Sequence, residues 1–194
     1  MQRSLRQAVA AAPRSAVEGE FERHVSLNWR LLSGSSSGGR WGPPGQYPVL
    51  YLGRPRASVT VEAYRHLVDP FAADGMTGDQ VAPRRILTCT VSVTDVLDLR
   101  TEEAQVRVGL STDDLLSDVG EYDACWQVGR IAHQLSLHGV IAPAATHFGE
   151  TLALFERHLP ANELPVLTGE EVWDRLPADP RRLRLVEDGG TAAS

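Results

Sequence analysis

Arg40, Tyr51 and Glu62 are the residues of this 194-residue chain whose type and setting suit chemistry. Arg40 follows Gly38-Gly39 and precedes Trp41, Tyr51 sits in the apolar run Tyr47-Pro48-Val49-Leu50-Tyr51-Leu52-Gly53, and Glu62 lies in the segment after it. Tyr51 comes eleven positions after Arg40, and Glu62 eleven after Tyr51. A loop–strand–helix unit of that size can gather three side chains around one cleft. Arginine pairs with pyrophosphate oxygens, an aromatic ring stacks on nicotinamide, and a carboxylate stabilises the cation that develops on a ribose as nicotinamide leaves. The set suits a pyridine dinucleotide. Each residue also has an ordinary structural reading: a solvated loop arginine, a core tyrosine with its hydroxyl at the edge, a glutamate on the wet face of a helix. Spacing alone leaves both readings open.

The elements that must position these residues follow from periodicity and punctuation. The run 47–53, bounded by proline and glycine, reads as a buried strand. Residues 57–67 predict a helix, with Ser58 as its cap and Glu62 about one turn inside. In 86–93, Ile86, Thr88, Thr90 and Ser92 alternate with Leu87, Cys89, Val91 and Val93, a strand pattern that residues 96–99 close. A short strand is expected over 105–110. Residues 126–138 predict an amphipathic helix stopped by Gly139, and 140–143 and 151–155 two strands joined by the loop 144–150. The Ser/Gly run 33–39 fits a flexible linker or an ordered binding loop between Trp29 and Trp41. It lacks the Gly-Lys-Ser/Thr ending of a P-loop. Residues 1–20 read as a helical or frayed leader, 21–160 as the domain, and 161–194 as a tail with a short helix over 169–175. Loosely alternating strands and helices predict an α+β fold, a compact mixed sheet with packed helices.

Composition narrows the function classes. Basic residues number 19 and acidic ones 25, a net charge of −6, and without a basic stripe the chain is a poor binder of nucleic acid. A small anion needs only one or two well-placed arginines, so it is not excluded. Nothing approaches the ~20 apolar residues of a membrane span. With Cys89 and Cys125 as the only cysteines, no CxxC and no export signal, the expected setting is the cytoplasm. No metal is expected: His133 and His138 are five apart and share no helix face, and the acidic run Asp113, Asp114, Asp118, Glu121, Asp123 reads as a solvated face. His147, in the 144–150 loop, is the other histidine to watch.

The stretch from Gly38 to Leu67 resembles the RES domain, named for an Arg, a Glu and a Ser. The family pattern runs Gly-Gly-Arg-aromatic-Asn-Pro, then a Leu-Tyr-Leu strand, then a helix bearing Glu, and Arg40, Tyr51 and Glu62 occupy these positions. Upstream, Phe21-Glu22-Arg23-His24-Val25 matches the family's opening, which adds Arg23 and His24. Downstream, Val96-Leu97-Asp98-Leu99, Gln127, Gly139 to Pro143 and Leu152 to Phe155 follow in the family's order, so the likeness covers about residues 20–160. The resemblance implies an ADP-ribosyltransferase-like cleft and a bacterial toxin that degrades NAD⁺ by phosphorolysis or hydrolysis of the nicotinamide–ribose bond. Inorganic phosphate is then a co-substrate, and an Xre-type helix-turn-helix antitoxin is the partner that blocks the cleft. It leaves a homo-oligomer open. On that template Arg23 and Arg40 hold phosphates, Tyr51 packs on the nicotinamide end, and Glu62 orients the ribose and stabilises its cation.

Two positions depart from the pattern. Gly42 stands where the family commonly has Asn. The family serine, which follows a proline, is here Ala144 after Pro143, and alanine can neither donate nor accept a side-chain hydrogen bond. Losing a hydroxyl that contacts the ligand would cost about 0.5–3 kcal/mol of transition-state binding, up to roughly a hundredfold in rate. Either Thr146 or His147 reaches the site instead, or the chain was disarmed by engineering, or it is a natural pseudoenzyme. The resemblance therefore implies a rival, an impaired NAD⁺- or ADP-ribose-binding module that retains Ala144 in its cleft, and a third reading, a protein ADP-ribosyltransferase.

Overall fold

Alternation in one long segment organises the sheet. In β3 (Arg84–Asp98), Leu87, Cys89, Val91 and Val93 are buried while Thr90 and Ser92 are exposed, so one face turns inward. β1 (Arg14–Ser26) runs antiparallel to it from Arg14 opposite Leu97 to Ser26 opposite Arg84. The computed structural model describes residues 4–29, 32–116, 122–145 and 148–182. Four more strands complete the sheet: β2 (Leu50–Arg54), β4 (Gly139–Pro143), β5 (Glu150–Leu154) and β6 (Val166–Trp173). Their order is β1-β2-β5-β4-β3-β6, and the additional β1–β3 pairing closes the first five into a ring. β4 meets β3 in parallel and β5 in antiparallel register.

The ring encloses one core and carries two more on its outside. Val17, Phe21, Leu50, Leu52, Val91, Ile141, Leu152 and Leu154 fill the interior. The residues between them, Tyr51, Val140, Ala142 and Ala153, face a second cluster with Trp41, Tyr47, Val128 and Ala132, as the two-residue period of a strand requires. This outer layer contains α5 (Asp123–Gln134) and the short helices α1 (Leu5–Ala10), α3 (Glu102–Arg107) and α4 (Thr112–Leu116). The third cluster joins Val59, Ala63 and Tyr64 of α2 (Arg56–Leu67) to Ile86 and Trp173.

The α+β class, the strands at β2, β3, β4 and β5 and the helices at α2 and α5 agree with expectation; several details differ. Residues 102–107 form a helix, not a strand: Val106 and Val108 alternate, but the Thr101 side chain caps Ala104 N and Glu102 and Glu103 favour the first turn. The expected tail helix over 169–175 is largely strand β6, held by pairing to β3 from Arg84 opposite Trp173 to Thr90 opposite Val166. Within the supposed leader, 5–10 is helical, while 14–20 belongs to β1, which runs through residue 20 without a break. Ser58 does not cap α2; the helix starts at Arg56 behind Pro55, and Ser58 is buried inside it. Ser136 (φ 57), not Gly139, supplies the left-handed residue after α5. Residues 183–194, together with Thr146, His147, Asp118 and Glu121, lie outside the described residues.

Gly129 of α5 lies against the Trp41 backbone, where an added Cβ would overlap the Trp41 carbonyl. Gly129→Ala should therefore push the helix off the 39–42 loop and cost about 1–3 kcal/mol. A drop in Tm of roughly 2–4 °C per kcal/mol in thermal unfolding checks this.

Candidate active site

β1 and β2 form one rung of ladder, Glu22 opposite Gly53. Beyond it β1 continues on β3 alone, and the gap becomes a cleft of about 400 Å³. That volume is ordinary for a small-molecule site. The walls come from Glu22 to His24 of β1, the 37–41 loop, Tyr51 to Gly53 of β2, the inward face of α2, Arg84 at the start of β3, and Tyr122.

The loop wall is a tight hairpin. Gly39 N donates to Gly42 O at 3.0 Å and Gly42 N to Gly39 O at 3.2 Å, so Arg40 and Trp41 occupy the bend. Trp41 is fully buried, which turns its neighbour toward the cleft. The Arg40 guanidinium donates to Asp114 O at 2.8 Å and lies 4.9 Å from the Tyr122 ring centroid, a cation–π distance. Tyr51 Oη accepts from Trp41 N at 2.9 Å, and Gly39 is glycine because a Cβ there would come within 2.8 Å of the Tyr51 ring. Burial pushes the Tyr51 phenol well above its ordinary pKa, so it stays protonated. Trp126 Nε1 donates to Gly39 O at 2.8 Å and ties the loop to α5.

The opposite wall carries the charges. Glu62, in the middle of α2, lies 3.6 Å from His66 and 3.9 Å from Arg65, with 40% of its side chain exposed. Glu22 is buried but balanced: Arg56 Nε donates to its two oxygens at 3.0 and 3.2 Å, and Thr88 Oγ1 donates at 3.3 Å. Arg56 also reaches Glu171 of β6 at 2.7 Å, which ties α2 to both strands. Arg23 donates to Ser33 O at 2.6 Å; burial lowers its pKa, partly offset by Glu156. Burial first, then the field of Arg84, holds the His24 imidazole down to about 3, and Arg84 Nη2 lies 3.3 Å from His24 Nδ1.

Five of the six residues expected at the site, Arg23, His24, Arg40, Tyr51 and Glu62, line this one cleft. Ala144 does not: it is buried, its N donates to Gly149 O at 2.9 Å, and its neighbours Pro143 and Ala145 line the wall instead. Sequence reasoning missed Glu22, Ser58, His66, Arg84 and Tyr122. The spacing of Ser58 and His66, four before and four after Glu62 on a helix, was the available signal for two of them. Among the described residues no group of three or more His, Cys, Asp or Glu is placed to hold a metal ion, and no helix is long and apolar enough to cross a membrane.

A closed ring split at one seam, with arginines, a tyrosine and a glutamate facing the split, defines a cleft for a small anionic ligand. The RES domain family model matches residues 20–176, and the chain belongs to that family. It is 32% identical over 147 residues to the proteins named NAD(+) phosphorylase MbcT of Mycobacterium bovis and of Mycobacterium tuberculosis, covering 73% of this chain and 76% of each relative. Among solved structures it is similar to a chain of the M. tuberculosis MbcT–MbcA toxin–antitoxin complex, with TM-score 0.76 and 28% identity, over 95% of this chain and 98% of that one.

The depressed His24 pKa has a signed consequence. Between the ordinary histidine value of about 6.5 and about 3 the unfolded chain binds a proton that the folded one does not, so this group makes stability fall as pH drops through that window. The slope is at most about 1.4 kcal/mol per pH unit. His24→Gln should flatten the urea-unfolding free energy between pH 6.5 and 4.5 relative to wild type; an unchanged slope would show that His24 ionises freely.

Proposed function

We propose that the chain is a RES-type toxin that degrades NAD⁺ by cleaving the nicotinamide–ribose bond, held inactive by an Xre-type helix-turn-helix antitoxin in the cytoplasm. The observation that carries this is the convergence of Arg40, Tyr51 and Glu62 on one cleft in a RES-family chain. The names of its relatives, NAD(+) phosphorylase and a toxin–antitoxin complex, point the same way. Arg23 and Arg40 hold the pyrophosphate, as forked guanidinium donors do. Tyr51 packs on the nicotinamide end. As the C1′–N bond breaks, its electron pair leaves with neutral nicotinamide, and Glu62 faces the positive charge left on the ribose. Inorganic phosphate is the favoured acceptor.

A second reading rests on Ala144: without the family hydroxyl, the same cleft would bind NAD⁺ or ADP-ribose and turn over poorly. The buried position of Ala144, beside the wall and not in it, favours the enzyme.

Folded protein free of antitoxin should release nicotinamide from NAD⁺, faster with phosphate, and Glu62→Gln should slow this about a hundredfold or more. No release with or without phosphate would overturn the activity. A large gain on Ala144→Ser would identify an impaired enzyme, and labelled ADP-ribose on a protein band would identify a protein ADP-ribosyltransferase.

A further inference from the structure

Arg84 is the charged group in the cleft wall that the reading above leaves without a task. It opens β3, opposite Ser26 of β1 and Trp173 of β6, and its side chain shares the α2-facing side of the strand with Ile86 and Thr88. The adjacent Arg85, on the other side, is paired to Glu170 and donates to Leu27 O at 3.1 Å. Arg84 differs in its charge balance: among the described residues no carboxylate pairs with it, and its Nε, like that of Arg85, is buried without a hydrogen-bond partner. A half-buried guanidinium held this way costs desolvation energy that an anion returns more fully than a neutral acceptor does, and burial does lower its pKa.

The neighbours fit an anion as well. His24 stays neutral. If its Nδ1 accepts from Arg84 Nη2 at 3.3 Å, its proton sits on Nε2, which makes that atom a donor. Glu22, the buried carboxylate in the same wall, is already neutralised by Arg56. Arg84 and His24 line the same cleft as Glu62 and its neighbour His66. Arg40, in the 39–42 loop, and Tyr51 of β2, which accepts from Trp41 N, form the facing wall.

We propose that Arg84, backed by His24, forms the subsite for the inorganic phosphate that accepts the ADP-ribosyl group. This rests on the NAD⁺-cleavage reading. An oxygen of HPO₄²⁻ forms the new bond to C1′ while the C1′–N bond breaks and its electron pair goes to nicotinamide. The products are ADP-ribose 1″-phosphate and nicotinamide; charge is conserved and no oxidant or reductant takes part. Arg84 holds the attacking dianion beside the ribose and favours it over water, so it sets the choice between phosphorolysis and hydrolysis.

Arg84→Gln and Arg84→Lys test this in the full chain, with circular dichroism to establish folding. Arg84→Gln should raise the KM for phosphate at least tenfold, by a larger factor than the KM for NAD⁺, and shift product from ADP-ribose 1″-phosphate toward ADP-ribose; Arg84→Lys should recover much of the difference. An unchanged phosphate KM overturns the proposal, and an equal rise in both KM values overturns it by making Arg84 a ligand of the NAD⁺ pyrophosphate. Binding is read separately as the rise in Tm on adding inorganic phosphate at matched ionic strength, expected in wild type and lost in Arg84→Gln. If wild type cleaves no NAD⁺ yet shows that Arg84-dependent rise, the subsite stands and the activity falls. If it cleaves NAD⁺ and phosphate acts on wild type and Arg84→Gln alike, the activity stands and the subsite falls.

Discussion

The seam between β1 and β2 is held by one rung, Glu22 opposite Gly53, and the candidate site exists because it is held by no more. Every other neighbour in the ring shares a ladder of three or more rungs. Past that rung Arg23 and His24 pair with β3 alone and Tyr51 and Leu52 with β5 alone, and all four line an opening between the two strands. Polar contacts flank that rung: Arg56 grips Glu22, and Arg54 of β2 pairs with Glu150 and donates to Glu18 O at 2.9 Å across the seam. Side-chain bonds thus span a join where the main-chain ladder stops.

Anchoring on the loop side follows a different rule. Arg40 is presented because Trp41 is buried and cannot turn. Three contacts fix the Trp41 backbone: its N–H donates to Tyr51 Oη, its carbonyl accepts from Tyr47 Oη, and Gly129 of α5 packs against it. The two tyrosines come from one side of the sequence and the glycine from far beyond, so the loop is positioned by the outer core as a whole.

The parts legible in the sequence were those whose signal is local. The apolar run at β2, the alternation of β3 and the helical segment after Pro55 are each dictated by neighbouring residues, and they place Tyr51 and Glu62 directly. Arg40 was readable because paired glycines beside an aromatic residue suit a tight loop. β6 was not readable: its residues are mostly exposed on both faces, so no period marks them, and they become a strand only by pairing with the edge of β3. The early part of β1 is similar, with polar residues that carry no core pattern until β3 is beside it. Arg84 was invisible for a related reason. An Arg-Arg pair at a strand start is unremarkable until the fold shows that Arg85 has a carboxylate and Arg84 a cleft.

The balance of Glu22 by Arg56 has a further consequence for what can enter. With that carboxylate neutralised, Arg23, Arg40 and Arg84 give the cleft a cationic lining inside a chain whose net charge is −6. The two fields act over different distances. The net charge of the chain acts over roughly a Debye length, about 8–10 Å at physiological salt; inside, the arginines act at contact distance, where salt screens little. A small anion that reaches the cleft therefore meets the arginines almost unscreened, at salt concentrations where the net charge of the chain is no longer felt beyond a Debye length.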